Sequence, residues 1–156
     1  MNNSIFNVPT PVNEPVFEYR EGSKEKAELK AALKELSEQY IEIPVVVGGK
    51  EIKTDNFVEI TAPFDHNIKL GRYYQAGEAE VKAAIKASME ARKAWGKMPW
   101  FHRAGIFLKA AELMSTKYRA QMNAATMLSI GKTAVQAEID SACELIDFLR
   151  FNVYFM

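Results

Sequence analysis

The chain has 156 residues, enough for one ordinary domain with a sizeable core, and its 48% hydrophobic and 26% charged content is ordinary for a globular protein. Lys plus Arg equals Asp plus Glu, 20 against 20, which removes any electrostatic case for a nucleic-acid partner, and no long basic run points to a membrane surface. A single cysteine, Cys143, excludes an internal disulfide and fits a reducing compartment, and no apolar run reaches the length of a membrane span.

Residues 1–20 carry Pro9, Pro11 and Pro15 and no clear period, which predicts an extended arm packed on the body through Val16, Phe17 and Tyr19. The first Arg is Arg20, and Glu14 and Glu18 precede it. With neither a basic start nor an apolar core, this stretch reads as neither a secretory signal nor a mitochondrial presequence, so the expected compartment is the cytoplasm (the mitochondrial matrix if eukaryotic). Ser23 caps a predicted helix from about Lys24 to Tyr40; Leu29, Leu33, Leu36 and Tyr40 share one face, and Pro44 bars continuation.

The period then changes. Val45-Val46-Val47, the turn Gly48-Gly49 and Glu51-Ile52-Lys53 read as a hairpin, with further strands at Phe57–Ile60 and Ile68–Tyr74. We expect a small antiparallel hairpin or meander over 44–75. Helical spacing resumes from Glu78 to Trp95, with Val81, Ala84, Ile85, Ser88 and Trp95 on one face and Gly96 and Pro99 closing it. A third helix begins near Trp100, breaks at Ser115-Thr116 and resumes to about Ser129, with Phe107, Ala111 and Met114 on one side and Ile106 and Leu113 beside it. Gly131 ends it, and Thr133-x-x-Gln136 is a capping box for a last helix running to Met156. On an ideal 100° wheel Val135, Ile139, Ala142, Ile146 and Val153 form its apolar stripe, widened by Leu145, Phe148 and Leu149. A helix so nearly apolar all round requires burial on several sides.

Chemistry-bearing residues are sparse. Ser129-Ile130-Gly131-Lys132-Thr133 imitates the end of a phosphate-binding loop, but the position that needs the first glycine is Thr126, and the segment follows a helix instead of a strand. Gly131 as a C-cap and Thr133 as an N-cap explain it better. Cys143 has Asp140, Ile139, Ile146 and Asp147 as helical neighbours, which would raise its pKa, so a buried inert thiol is expected and no catalytic role. His66 in a turn and His102 at a helix start have no second ligand at metal spacing. Asp140, Glu144 and Asp147, spaced i, i+4, i+7, leave two readings: a solvated edge with Asp147 paired to Arg150, or a buried acid that binds a cation.

From Ile43 onward the chain resembles the N-terminal part of the aldehyde dehydrogenase superfamily. The residues that carry the likeness are Pro63-Phe64 and Gly71, Ala91-Arg92-Lys93-Ala94-Trp95, Pro99 with Arg103, the Leu108, Ala111, Leu113 and Met114 set, and Gly131-Lys132-Thr133. Longer blocks are similar to one branch, the glutamate-γ-semialdehyde (1-pyrroline-5-carboxylate) dehydrogenases. These are Asn13-Glu14-Pro15-Val16, Ala104 to Ala111, Gln136 to Asp140 and Glu144 to Asn152.

The resemblance implies an α/β fold of which this stretch is the mostly helical first part: an arm over 1–20, and over 21–156 a truncated portion of the NAD-binding domain. It implies oxidation of a small-molecule aldehyde with NAD by a cysteine nucleophile and a glutamate base, in an enzyme that is a homo-oligomer. Those groups are expected in sequence following this stretch, so no catalytic, cofactor-binding or metal-binding residue is assigned here, and the missing C-terminal part of the same enzyme is the expected partner. The carry-over is one substrate-binding residue, Glu144, meeting the substrate's amino group. A free-standing helical interaction module is the alternative, and complementation of a separately encoded remainder a third possibility.

Overall fold

In a computed structural model that describes residues 5–156, residues 5–20 form neither helix nor strand. The elements that follow are α1 (Lys24–Ser37), β1 (Ile41–Ile43), β2 (Val45–Val47), β3 (Lys50–Ile52), β4 (Phe57–Ala62) and β5 (Asp65–Tyr74). Helices α2 (Glu78–Lys97), α3 (Trp100–Ser115), α4 (Arg119–Ile130) and α5 (Ala134–Ala137) come next, then a π-helical segment, Glu138–Cys143, and α6 (Glu144–Phe155). None of these helices is long and apolar enough to cross a membrane. The chain divides into two compact units: residues up to Leu33 with Pro99–Met127 and Lys132–Met156, and Lys34–Met98 with Leu128–Gly131.

The second of these holds the strands. β2 and β3 pair antiparallel across Gly48 and Gly49, whose φ values of 57° and 78° suit the tight turn two glycines allow. β4 and β5 pair antiparallel from Phe57 opposite Tyr74 to the turn at Pro63-Phe64. The predicted hairpins are thus present, with one correction: the sheet is not wholly antiparallel. β1 lies parallel to β5, Ile41 opposite Gly71, in a three-stranded order β1-β5-β4. Gly71 makes this possible, because a Cβ there would sit 2.0 Å from the Ile41 carbonyl oxygen. The β-branched Ile41 and Ile43 join the sheet, so α1 ends at Ser37, short of the expected Tyr40, and Tyr40 donates its hydroxyl to Glu59 at 2.7 Å. Across the sheet Glu42 accepts from Lys53, Arg72 and Tyr74, which together draw its carboxyl down to about 2. α2 runs through Gly96 to Lys97 and has no buried residue; Val81, Ile85 and Trp95 of its predicted apolar face are exposed.

In the first unit α3 packs on α6 around Ala111, Ala142 and Ile146, with Met114 and Leu149 against them. The predicted break after Ser115 is present: the Thr116 hydroxyl donates to the Glu112 carbonyl at 2.7 Å and α4 restarts at Arg119. The capping box also forms, Thr133 N–H donating to Gln136 Oε1 at 3.0 Å and Gln136 N–H to Thr133 Oγ1 at 3.3 Å. The last helix is not one uniform α-helix. Its π-helical turn inserts an extra residue, so Glu138 and Cys143, five apart, both face inward. The ideal wheel loses phase there: Ala142, Ile146 and Val153 are buried as predicted, whereas Val135 and Ile139 are exposed.

Candidate functional site

The fully buried Glu138 carboxylate is the centre of a polar network that ties the arm to α4 and the closing helix. Arg119, the first residue of α4, pairs with both Glu138 and Glu14. Its guanidinium also donates to the Pro15 carbonyl at 2.6 Å and lies 3.8 Å from the Phe17 ring centroid. Glu138 accepts further bonds from the Phe17 N–H at 2.8 Å, the Tyr19 hydroxyl at 2.6 Å and Asn123 Nδ2 at 2.7 Å. Burial alone pushes the Glu138 carboxyl up, but the bonds from Arg119, Tyr19 and Phe17 outweigh it and hold the group below the ordinary glutamate value. Tyr19 is raised by burial and by Glu138, and it is held in the left-handed region at φ 53°, a strain that the network sustains. Of the three arm residues expected to pack, Tyr19 is buried, whereas Val16 and Phe17 are exposed.

Cys143 lies against this cluster, its Sγ 3.5 Å from Arg119 Nη2 and 3.8 Å from Glu138 Oε1. Burial first, then the Glu138 charge, push its thiol up to about 11 against the opposing pull of Arg119. It is a neutral thiol near pH 7, without the thiolate character a nucleophile needs.

The three carboxylates of the acidic strip have different fates. Asp140 pairs with Lys132 at 2.5 Å. Asp147 accepts from Asn13 Nδ2 and from the Glu14 N–H, both at 2.7 Å. The expected Asp147–Arg150 pair is absent among the described residues, because the arm occupies Asp147 while Arg150 pairs with Glu14. Glu144 is exposed and has no hydrogen-bond or ion-pair partner among the described residues. It lines a surface depression of about 490 Å³ with Asn13, Asp147, Phe148, Phe151, Asn152 and Phe155. The buried acid is therefore Glu138, which sequence reasoning missed. Its inward direction depends on the extra residue of the π-helical turn, and the 3.6-residue period carries no mark of that insertion.

Neither of the two loops that could cradle a dinucleotide phosphate is open to one. The strand-to-helix passage from β5 to α2 holds a single glycine, Gly77, whose N–H is taken by Glu80 Oε2 at 2.8 Å. At the other candidate, Gly131 ends α4 at φ 78°, Thr133 caps α5, and Lys132 is paired with Asp140. His66 stands in β5 and His102 in the first turn of α3, and no group of metal-ligating side chains occurs among the described residues.

Residues 50–156 match the model of the aldehyde dehydrogenase family. The mitochondrial delta-1-pyrroline-5-carboxylate dehydrogenase of Dictyostelium discoideum is 48% identical over 147 residues, which is 94% of this chain and 26% of that protein. The Agaricus bisporus delta-1-pyrroline-5-carboxylate dehydrogenase is 43% identical over 98% of this chain and 28% of its own length. The NAD-bound crystal structure of the Mycobacterium tuberculosis delta-pyrroline-5-carboxylate dehydrogenase superposes with a TM-score of 0.94 at 41% identity, covering 99% of this chain and 29% of that one. The chain thus spans roughly a quarter of the relatives it matches, and its helices and small sheets match the aldehyde dehydrogenase fold. By its family match and by its superposition, the chain belongs to the aldehyde dehydrogenase family.

Proposed function

We propose that these residues are the N-terminal segment of an NAD-dependent dehydrogenase that oxidises L-glutamate 5-semialdehyde (1-pyrroline-5-carboxylate) to L-glutamate, and that Glu144 binds the substrate's amino group. The observation that carries the role of Glu144 is its lack of a partner among the described residues: Asp140 and Asp147 are each satisfied within the fold, and Glu144 is the carboxylate of the strip left for an external cation. Its setting suits an alkylammonium, because Phe148, Phe151 and Phe155 line the same depression and aromatic faces tolerate a cation. The names of the relatives supply the substrate class.

In the net reaction the aldehyde carbon gains an oxygen from water and loses a hydride, giving a carboxylate. When bound, NAD would supply the hydride acceptor, and the two protons released would pass to solvent; the groups that hold NAD and the cysteine nucleophile belong to other parts of such an enzyme. What this segment contributes is orientation: Glu144 fixes the amino end of the substrate, and with it the reach of the aldehyde. In this reading 1–20 is an arm, 21–156 is the first part of the NAD-binding domain, and the enzyme is a homo-oligomer of the cytoplasm. The exposed apolar side chains of α6, Leu145, Phe148 and Phe155, support the existence of further protein packed on it.

The test is Glu144→Ala in the full-length enzyme carrying this segment. A charge-assisted bond of about 1.5–3 kcal/mol corresponds to a fall of about 10- to 100-fold in the ratio of kcat/KM for the amino-bearing aldehyde over an amino-free aliphatic one. An unchanged ratio, with both substrates losing equally, would assign Glu144 to folding instead.

A further inference from the structure

The depression around Glu144 is not built by the closing helix alone, since Asn13 of the arm also lines it. The Asn13 amide has a defined orientation. Its Nδ2 donates to Asp147 Oδ2, and a carboxylate only accepts, so the NH2 must face Asp147 and Oδ1 is the atom left for an outside donor. The backbone beside it is clamped: the Glu14 N–H donates to Asp147 Oδ1, the Glu14 carboxylate pairs with Arg119 and Arg150, and the Pro15 carbonyl accepts from Arg119. Asn13 is thus an acceptor held on an ordered support, which is what a recognition group requires.

An ammonium group has three N–H donors to satisfy as well as a charge. Glu144 supplies the counter-charge and an acceptor. Asp147, the other carboxylate in the depression, uses both oxygens on the arm. Asn152 lines the depression too, yet no bond among the described residues orients its amide, so fixing it on a ligand would cost side-chain entropy. We propose that Asn13 is a second substrate-binding residue, its Oδ1 accepting from the ammonium that Glu144 neutralises, so that the N-terminal arm forms part of the site that selects an amino-bearing aldehyde. This rests on the reading of Glu144 given above.

Three variants of the full-length enzyme test it: Asn13→Ala, Glu144→Ala and the double substitution, each assayed with an amino-bearing and an amino-free aldehyde. Asn13→Ala is expected to lower the kcat/KM ratio between them about tenfold, mainly through KM for the amino-bearing substrate. The double variant should lose less than the product of the two single losses, because both residues act on one group. If Glu144→Ala is selective while Asn13→Ala leaves the ratio unchanged, Asn13 is only a tether and the proposal fails alone. If Glu144→Ala is itself unselective, the underlying reading fails and the proposal with it. Should Asn13→Ala not fold, a crystal structure of the unsubstituted enzyme with L-glutamate decides: Asn13 Oδ1 within about 3.2 Å of the amino nitrogen supports the assignment, and a separation beyond hydrogen-bond reach overturns it.

Discussion

At Glu138 a single buried carboxylate receives Arg119, the Tyr19 hydroxyl, the Phe17 N–H and Asn123, three of them from the arm and the start of α4. Removing Glu138 leaves the buried Arg119 with Glu14 as its remaining carboxylate, and breaking a buried pair typically destabilises by about 3–5 kcal/mol. Glu138→Ala should therefore lower the thermal midpoint sharply, while Glu138→Ala combined with Arg119→Met, which removes the under-compensated buried charge and leaves Glu14 paired with Arg150, should recover part of the loss. Equal midpoints for the single and double variants would argue that Arg119 is not the stranded partner. The pH dependence follows from the direction of the Glu138 shift. Its native pKa lies below the unfolded value of about 4.3, so its contribution is complete above that pH and is lost as the pH falls through the native value. Acid unfolding monitored by circular dichroism should move to lower pH in Glu138→Gln relative to its own neutral-pH stability, since that variant has no carboxylate to protonate.

At the element scale, Gly71 is the position on which β1 depends. A Cβ there would meet the carbonyl oxygen, carbon and nitrogen of Ile41 at 2.0, 2.8 and 2.9 Å, all backbone atoms with no rotamer to give way. Gly71→Ala should expel β1 from β5 at a cost of about 2 kcal/mol or more. Gly49→Ala, at φ 78° with nothing within 4 Å of the added carbon, should cost only the left-handed strain of about 1–2 kcal/mol. Hydrogen exchange at Ile41 to Ile43 distinguishes them: protection should be lost in the first variant and kept in the second. The caps at Ser23, Gly131 and Thr133 were legible because each acts on backbone groups within a few residues. The parallel pairing of β1 was not, since it joins segments separated by the β2–β3 hairpin and β4, and its one local sign is a glycine inside a strand. The π-helical turn was equally hidden. It moves every later side chain by about 100° without any residue type that announces it.

For the whole molecule, apolar faces on α2 and α6 remain exposed among the described residues, with Ile85, Phe148 and Phe155 each more than half accessible at 60, 62 and 76%. The isolated 156-residue chain is expected to bind a hydrophobic dye or self-associate, and to produce no NADH from an aldehyde. A compact, dye-silent monomer would favour a free-standing helical interaction module, and NADH production abolished by Cys143→Ala would overturn the assignment of Cys143 as an inert thiol. The sequence by itself determined the helices, the hairpins, the caps and the family, because periodicity, turn residues and contiguous blocks are local properties. Only the tertiary structure decided which acid is buried, which is satisfied and which stays open. Asn13 meets Asp147 across 134 positions and Glu14 meets Arg119 across 105, and at such separations a charge carries no local sign of its partner. Folding those pairs together buries Glu138, occupies Asp147 and leaves Glu144 facing solvent.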